Sequence, residues 1–399
     1  MKNRLSTIFL VLLIVATSCT NKKQAIPLPD NAFPIVYHGH LYVKGDADSI
    51  QGNFVFDTGA SNFYYDSTYF AGNKYFYTDY FSALLPGAGA TPQKVEVIKD
   101  TVTFEFGEHL YRTNIVPILQ LKPILGDFAD GILGMEYFYG SVLEINYERE
   151  YMCLYRSLDS IDTLGYDKIK LSKKGNRLFI PLQVNINDSL SIAGEYQVDF
   201  GCGGSVVLTS ATTRKYNLSE NIKNKTAYFT KYGGVGGESS SYDFRTESVQ
   251  IGDFEFANVC MDFSIDKSGA LSSNKHLGLL GNGIYERFNV FIDFINNDMY
   301  LKPNGKYEEP FEFSKLSFSY VDRNKTMDAW IVIGLYRNCN AEKAGLKIDD
   351  KIIAVNGTSV KQITYESQKG FWDDLTSVNL AVKRGVEQME IKFKLEPIQ

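Results

Sequence analysis

The sequence predicts a mainly β protein: two homologous β units related by a pseudo-twofold axis, then a small α+β domain. Three observations carry this. The chain of 399 residues holds 26 Tyr, 27 Phe and 33 Gly, a mix suited to short strands and turns. Ordered sequence matches recur at one fixed spacing, the mark of a repeat. The pattern then changes after residue 310. With 44% hydrophobic residues a sizeable core is available. A net charge of -6 gives no basic surface, so no nucleic-acid partner is expected.

Residues 1–19 begin with Lys2 and Arg4, followed by an apolar run, Ile8 to Ala16, too short to span a bilayer. The run ends at Ala16, Thr17, Ser18 and Cys19. This resembles a bacterial lipoprotein signal peptide, which implies a lipid on Cys19. The chain would then be held at a membrane of the cell envelope, facing the periplasm or cell surface. An ordinary secretory signal with a chance cysteine is the alternative. Residues 20–32 read as a polar tether.

The first unit is placed at 33–156, a linker at 157–177 and the second unit at 178–306. FVFDTGAS (54–61) runs a strand into an acid at a tight turn, and YQVDFGCGG (196–204) repeats the move. A Gly-rich turn follows each: Pro86 to Ala90, then Gly233 to Gly237. DGILG (130–134) is answered by LGLLG (277–281), and INYEREYMCL (145–154) by IDFINNDMYL (292–301). Gly89 and Gly236, Gly131 and Gly278, Ile145 and Ile292, and Leu154 and Leu301 are each 147 residues apart; Asp57 and Asp199 are 142 apart. One small insertion thus separates the acid turn from the Gly-rich turn. Alternation predicts strands at Thr101 to Phe106, Phe179 to Ile186 and Ser248 to Gly252. Short helices are expected at Glu136 to Phe138 and Ile284 to Phe288.

One acid turn per unit points to a shared site. Two adjacent carboxyls cannot both ionise cheaply, so the pair holds one proton and can activate a water between them. Here the sequence resembles the aspartic protease superfamily. Asp57 to Ser61 match its signature closely, Asp199 to Gly203 match it loosely, and ILG (132–134) and LLG (279–281) match the segment that supports each catalytic loop. The resemblance covers residues 33 to 305. It implies two closed, barrel-like β lobes, catalytic Asp57 and Asp199, loop support from Thr58, Gly59 and Gly201, and a cleft for an extended peptide or unfolded protein. Flap glycines Gly87, Gly89, Gly234 and Gly236 would close over it. Phe200 stands where the family has a bracing Thr or Ser. That departure keeps a second reading open, a peptide-binding protein of the same fold without catalysis.

NAEKAGLKIDDKIIAVNG (340–357) resembles a PDZ domain of exported bacterial proteases, placed at 310–399. This implies capture of a peptide end, with Leu316, Ser317 and Phe318 as the peptide-carboxylate loop. AsnGly at Asn356 fits a tight turn with positive φ.

No cofactor or metal motif is found. His38 and His40 lack a third ligand and read as surface residues. Cys202 and Cys260 could pair, with unpaired thiols the equal alternative.

Overall fold

The computed structural model describes residues 27–85, 87 and 92–398. The signal segment with Cys19, most of the tether, and flap residue Gly89 lie outside the described residues. Among the described residues, no helix is long and apolar enough to cross a membrane.

The chain is mainly β, and its strands form two extended sheets. The expected strands appear at Val102–Phe106, Arg177–Asn187 and Ser248–Ile251. After ILG comes a 3-10 turn, Met135–Phe138, and after LLG a short helix, Asn282–Tyr285. The second helix thus lies earlier than expected, because Phe288 already begins the next strand. Within 157–177, strands Asp167–Lys170 and Ser172–Lys174 add to the sheets.

The repeat is visible in the pairing. Gly131–Gly134 runs parallel to Ile50–Asp57 and antiparallel to Phe63–Asp66. Gly278–Leu280 likewise runs parallel to Leu190–Val198 and antiparallel to Val206–Leu208. The units join where Val142–Asn146 pairs antiparallel with Phe288–Asp293. There Glu144 opposes Phe291, residues 147 apart, so equivalent positions face each other and the local twofold passes between them.

The lobes are not closed barrels. Each sheet is an open path of strands. The reason is where the edges go. The first sheet continues across the junction into the second unit's Phe288–Asp293 and Asp298–Pro303. The second sheet continues into the C-terminal domain, because Thr226–Thr230 pairs with Ala329–Tyr336. Edges covered by a neighbouring element need no closure.

One apolar core runs through both units; it holds Phe54, Phe56, Phe104, Phe138, Phe200 and Tyr285. A separate core around Trp330, Leu380 and Val382 belongs to the C-terminal domain. Asn356 (φ 50°) and Gly357 (φ 82°) take the positive-φ turn expected there.

Candidate active site

Asp57 ends the strand Ile50–Asp57, and Asp199 directly follows Leu190–Val198. Each strand is flanked by the ILG or LLG segment, which holds the loop from behind. Met135 N–H donates to Ala60 O at 3.0 Å, and Asn282 N–H to Cys202 O at 2.8 Å. Gly134 and Gly281 permit this approach. A Cβ at Gly134 would lie 2.3 Å from Asn62 O, and one at Gly281 would lie 2.4 Å from Gly204 O.

The two acid turns share one geometry. Gly59 N–H donates to Asp57 Oδ1 at 2.6 Å, and Gly201 N–H to Asp199 Oδ1 at 3.0 Å. Each glycine also supports the opposite acid. A Cβ on Gly201 would lie 2.4 Å from Asp57 Cγ, and one on Gly59 would lie 2.9 Å from Asp199 Oδ2. The same Cβ on Gly59 would lie 2.8 Å from Asp57 Oδ1, so the two carboxyls sit side by side. Both are half-buried.

Their electrostatics follow. Burial, then the charge of Asp57, pushes Asp199 up to about 8. Burial also raises Asp57, opposed by the Gly59 N–H and by the Arg177 guanidinium. Two adjacent carboxyls resist being ionised together, which favours a proton held by the pair. Such a pair can take a proton from a water and give one to a carbonyl oxygen.

The bracing of the loops is one-sided. Thr58 is fully buried; its Oγ1 donates to Val198 O at 2.8 Å and accepts the Phe200 N–H at 3.0 Å. Phe200 returns no hydroxyl bond. Its ring stacks on Tyr285 with centroids 4.3 Å apart and lies 5.6 Å from Phe56. Asn282 holds its backbone: Nδ2 donates to Phe200 O at 2.8 Å, while Tyr147 Oη donates to Asn282 Oδ1 at 2.7 Å. Packing and an amide stand where a second hydroxyl would be.

Sequence reading missed Asn282, Tyr285 and Arg177. The repeat held a signal for the first: Asn282 lies 147 residues after Met135, a polar residue opposite an apolar one. His40 corrects another expectation. It is not a free surface residue. It is half-buried beside Gly201, its Nδ1 has no partner, and burial lowers its pKa to about 4. All four described cysteines are free, so Cys202 and Cys260 do not pair. Burial, then the Asp199 charge, drives the Cys202 thiol upward, away from a nucleophilic thiolate. Among the described residues, no cluster of three or more His, Cys, Asp or Glu could hold a metal.

The Gly-rich turns meet. Gly87 approaches Val235 so closely that a Cβ would lie 1.9 Å from Val235 O. Gly234 (φ 119°) and Gly236 (φ 115°) shape that turn. Val235 packs in an apolar cluster with Tyr64, Ile132 and Ala60, the last only three residues after Asp57.

The C-terminal domain touches both units. Besides the strand pairing at Tyr228 and Tyr336, Lys231 Nζ pairs with Asp349 at 2.8 Å, and Tyr336 Oη donates to Asp243 at 2.8 Å. On the other side the buried Asp127 accepts Arg323 Nε at 2.8 Å and Thr326 N–H at 2.9 Å. Asp127 N–H donates to Asp322 O at 2.7 Å. Phe128 stacks on Tyr365 at 4.1 Å. Strand Phe318–Arg323, helix Asn340–Lys343 and the AsnGly turn complete its outline.

Residues 318–383 match the PDZ domain family. No curated protein matches the chain. The PDZ domain thus forms the C-terminal domain, and domains of this kind bind peptide C-termini, consistent with a peptide partner. Among the described residues its strand Phe318–Arg323 pairs in the sheet with Ala329–Tyr336, and its Asp322 O accepts Asp127 N–H of the first unit. Ahead of that strand, Leu316 N–H is bonded to Ser314 Oγ at 3.0 Å. Ser317 is buried, its Oγ accepting Ala341 N–H, and Phe318 lies in the PDZ core. A cavity of about 590 Å³ beside this loop is lined by Lys225, Ser317, Arg337 and Asn340, and holds neither acid.

Proposed function

We propose that this chain is an exported, membrane-anchored aspartic endopeptidase whose PDZ domain captures a peptide end or partner. The observation that carries the reading is the paired carboxyls of Asp57 and Asp199, each lying against the other's glycine. A water between them loses a proton to the ionised acid as its oxygen attacks the peptide carbonyl carbon. The protonated acid gives its proton to the carbonyl oxygen. The tetrahedral intermediate then collapses, the C–N bond breaks, and a proton passes to the amine. Thr58, Gly59 and Gly201 hold the acids in place. The tips near Gly87 and Gly234 to Gly236 act as flaps, excluding bulk water. Leu316, Ser317 and Phe318 form the start of the PDZ peptide groove. Cys19 carries the lipid.

The alternative is a peptide-binding protein without catalysis. The observation favouring it is the missing return hydroxyl at Phe200. Wild type, Asp57→Asn, Asp199→Asn and Phe200→Thr, each incubated with an unfolded protein, decide between them. The endopeptidase reading requires that wild type cleaves and each Asn variant falls to background. A silent wild type beside a cleaving Phe200→Thr makes the chain a binding module. Cys19→Ser should release the chain from membranes without blocking export; retention after a salt wash removes the anchor from the proposal.

A further inference from the structure

Arg177 opens the strand Arg177–Asn187 of the second unit and reaches across to the first. Its Nη1 donates to Ser61 Oγ at 2.8 Å, four residues past Asp57, and to Asn176 O at 3.0 Å. It is half-buried, and among the described residues it has no carboxylate partner. Its neighbours are differently placed. Lys173 lies over the Tyr139 ring at 3.9 Å, and Lys174 pairs with Glu195. Among the described residues Arg177 thus makes no direct ion pair, and the charges it acts on are those of Asp57 and Asp199.

That leaves much of the guanidinium free to bind. It carries five N–H donors in a planar fork, and two acceptors of neutral charge leave most of them unused. The donors left over can take a further anion, and the fork matches a carboxylate in bidentate fashion. Its position says where that carboxylate would lie. Arg177 acts electrostatically on both Asp57 and Asp199, and on Tyr64 and Tyr139 around them. It flanks the Asp57 loop. The Asp199 loop is flanked instead by Gly39 and His40, which carry no charge at neutral pH. One end of the site is therefore cationic and the other uncharged.

We propose that Arg177 forms an anionic subsite that selects peptides carrying a carboxylate on the Asp57 side of the acid pair. The carboxylate comes from an Asp or Glu side chain near the bond to be cut, or from the peptide's own C-terminus. This rests on the endopeptidase reading for its kinetic test but not for its binding test.

The experiment uses the full chain and a peptide set built on one extended, neutral sequence. Glu is exchanged for Gln at each position flanking the cut, and each peptide is made as free acid and as C-terminal amide. Wild type should prefer Glu over Gln at one position, or free acid over amide, by at least about tenfold in kcat/KM. The first result identifies a side-chain carboxylate and the second a terminal one. Arg177→Gln should erase the preference, bringing the ratio of acidic to neutral kcat/KM to about one, with each protein assayed at the optimum of its own pH profile because loss of the guanidinium also raises both acids. Arg177→Glu should reverse it toward Lys-containing peptides. Equal cleavage of acidic and neutral peptides by wild type overturns the proposal. So does an Arg177→Gln variant that keeps the wild-type ratio of acidic to neutral cleavage, which would make the Ser61 contact a structural tie. The same peptides, labelled and titrated into Asp57→Asn by fluorescence anisotropy, test the subsite without turnover. Acid preference in binding with no cleavage by wild type keeps the subsite and removes the endopeptidase reading; no acid preference in either assay removes the subsite.

Discussion

Thr58 Oγ1 accepts the backbone N–H of Phe200 at 3.0 Å, joining the two acid loops across the junction of the units. The same oxygen donates to Val198 O, so one buried hydroxyl serves two backbone groups of the opposite loop. Thr58→Val keeps the shape and removes both bonds. Leaving buried backbone groups unpartnered costs about 2–4 kcal/mol in all. Thr58→Ser should stay close to wild type. Urea unfolding of the three proteins checks this; a Val variant as stable as wild type would show the bonds to be dispensable.

Phe200 holds its loop by packing. Its ring is buried between Tyr285 and Phe56. Phe200→Ala should lose about 3–5 kcal/mol. Phe200→Leu should lose much less, because volume is largely kept. The denaturant midpoint separates the two. Equal losses would mean that ring stacking, rather than filled space, is what matters.

Gly201→Ala should remove catalysis with little loss of fold, since the new methyl would press on the Asp57 carboxyl at 2.4 Å. Gly204→Ala is the control, because its nearest neighbour lies 3.6 Å away. Peptide cleavage and melting temperature are measured together. Full activity in Gly201→Ala would place the working carboxyls elsewhere.

Both acids bind protons more tightly in the folded chain, Asp199 up to about 8, chiefly through burial. A raised carboxyl stabilises the fold while protonated, and that contribution is lost as pH rises through its folded value. Asp199→Asn never ionises. It should match wild type near pH 4 and become the more stable protein by about pH 8–9. Hydrolysis should follow a bell in pH, since one acid must be ionised and the other protonated. A stability difference that stays flat from acid to alkaline pH would rule out the raised pair.

The PDZ domain should loosen from the first unit when Asp127 is changed. Asp127→Ala removes acceptors for Arg323 and Thr326 and leaves a half-buried guanidinium unpaired. Losing one partner of a buried ion pair costs on the order of 3–5 kcal/mol. Faster amide hydrogen exchange at residues 318–328, with the PDZ core still protected, is the expected signature. Unchanged exchange there would assign the hold to the Phe128–Tyr365 stack.

Part of this was open to reading in the sequence. Asp57 and Asp199 stand out because a strand rarely ends in an acid and a glycine twice at matching places. The 147-residue spacing reappears physically as the Glu144–Phe291 pair, because a duplicated strand facing its own copy keeps the repeat's register. The PDZ domain showed through a local string, helix, turn and strand in sequence order. What stayed hidden is non-local. Arg177 meets Ser61 over 116 residues and Asn282 meets Gly39 over 243. Neither side chain carries a local pattern that names its partner. Sheet edges were misjudged for the same reason: whether a lobe closes depends on which neighbour arrives at its edge.

The pairing of Thr226–Thr230 with Ala329–Tyr336 also sets an order of events. The first strand leaves the ribosome about a hundred residues ahead of its partner, so its edge stays open in the interval. The Gly-rich hairpin that it begins gains its last backbone support only when the final domain has emerged. Completion of the chain thereby times completion of the site. A copy truncated before the PDZ domain keeps both acids but bears an unpaired strand edge, and is expected to self-associate in place of folding into a shortened working form.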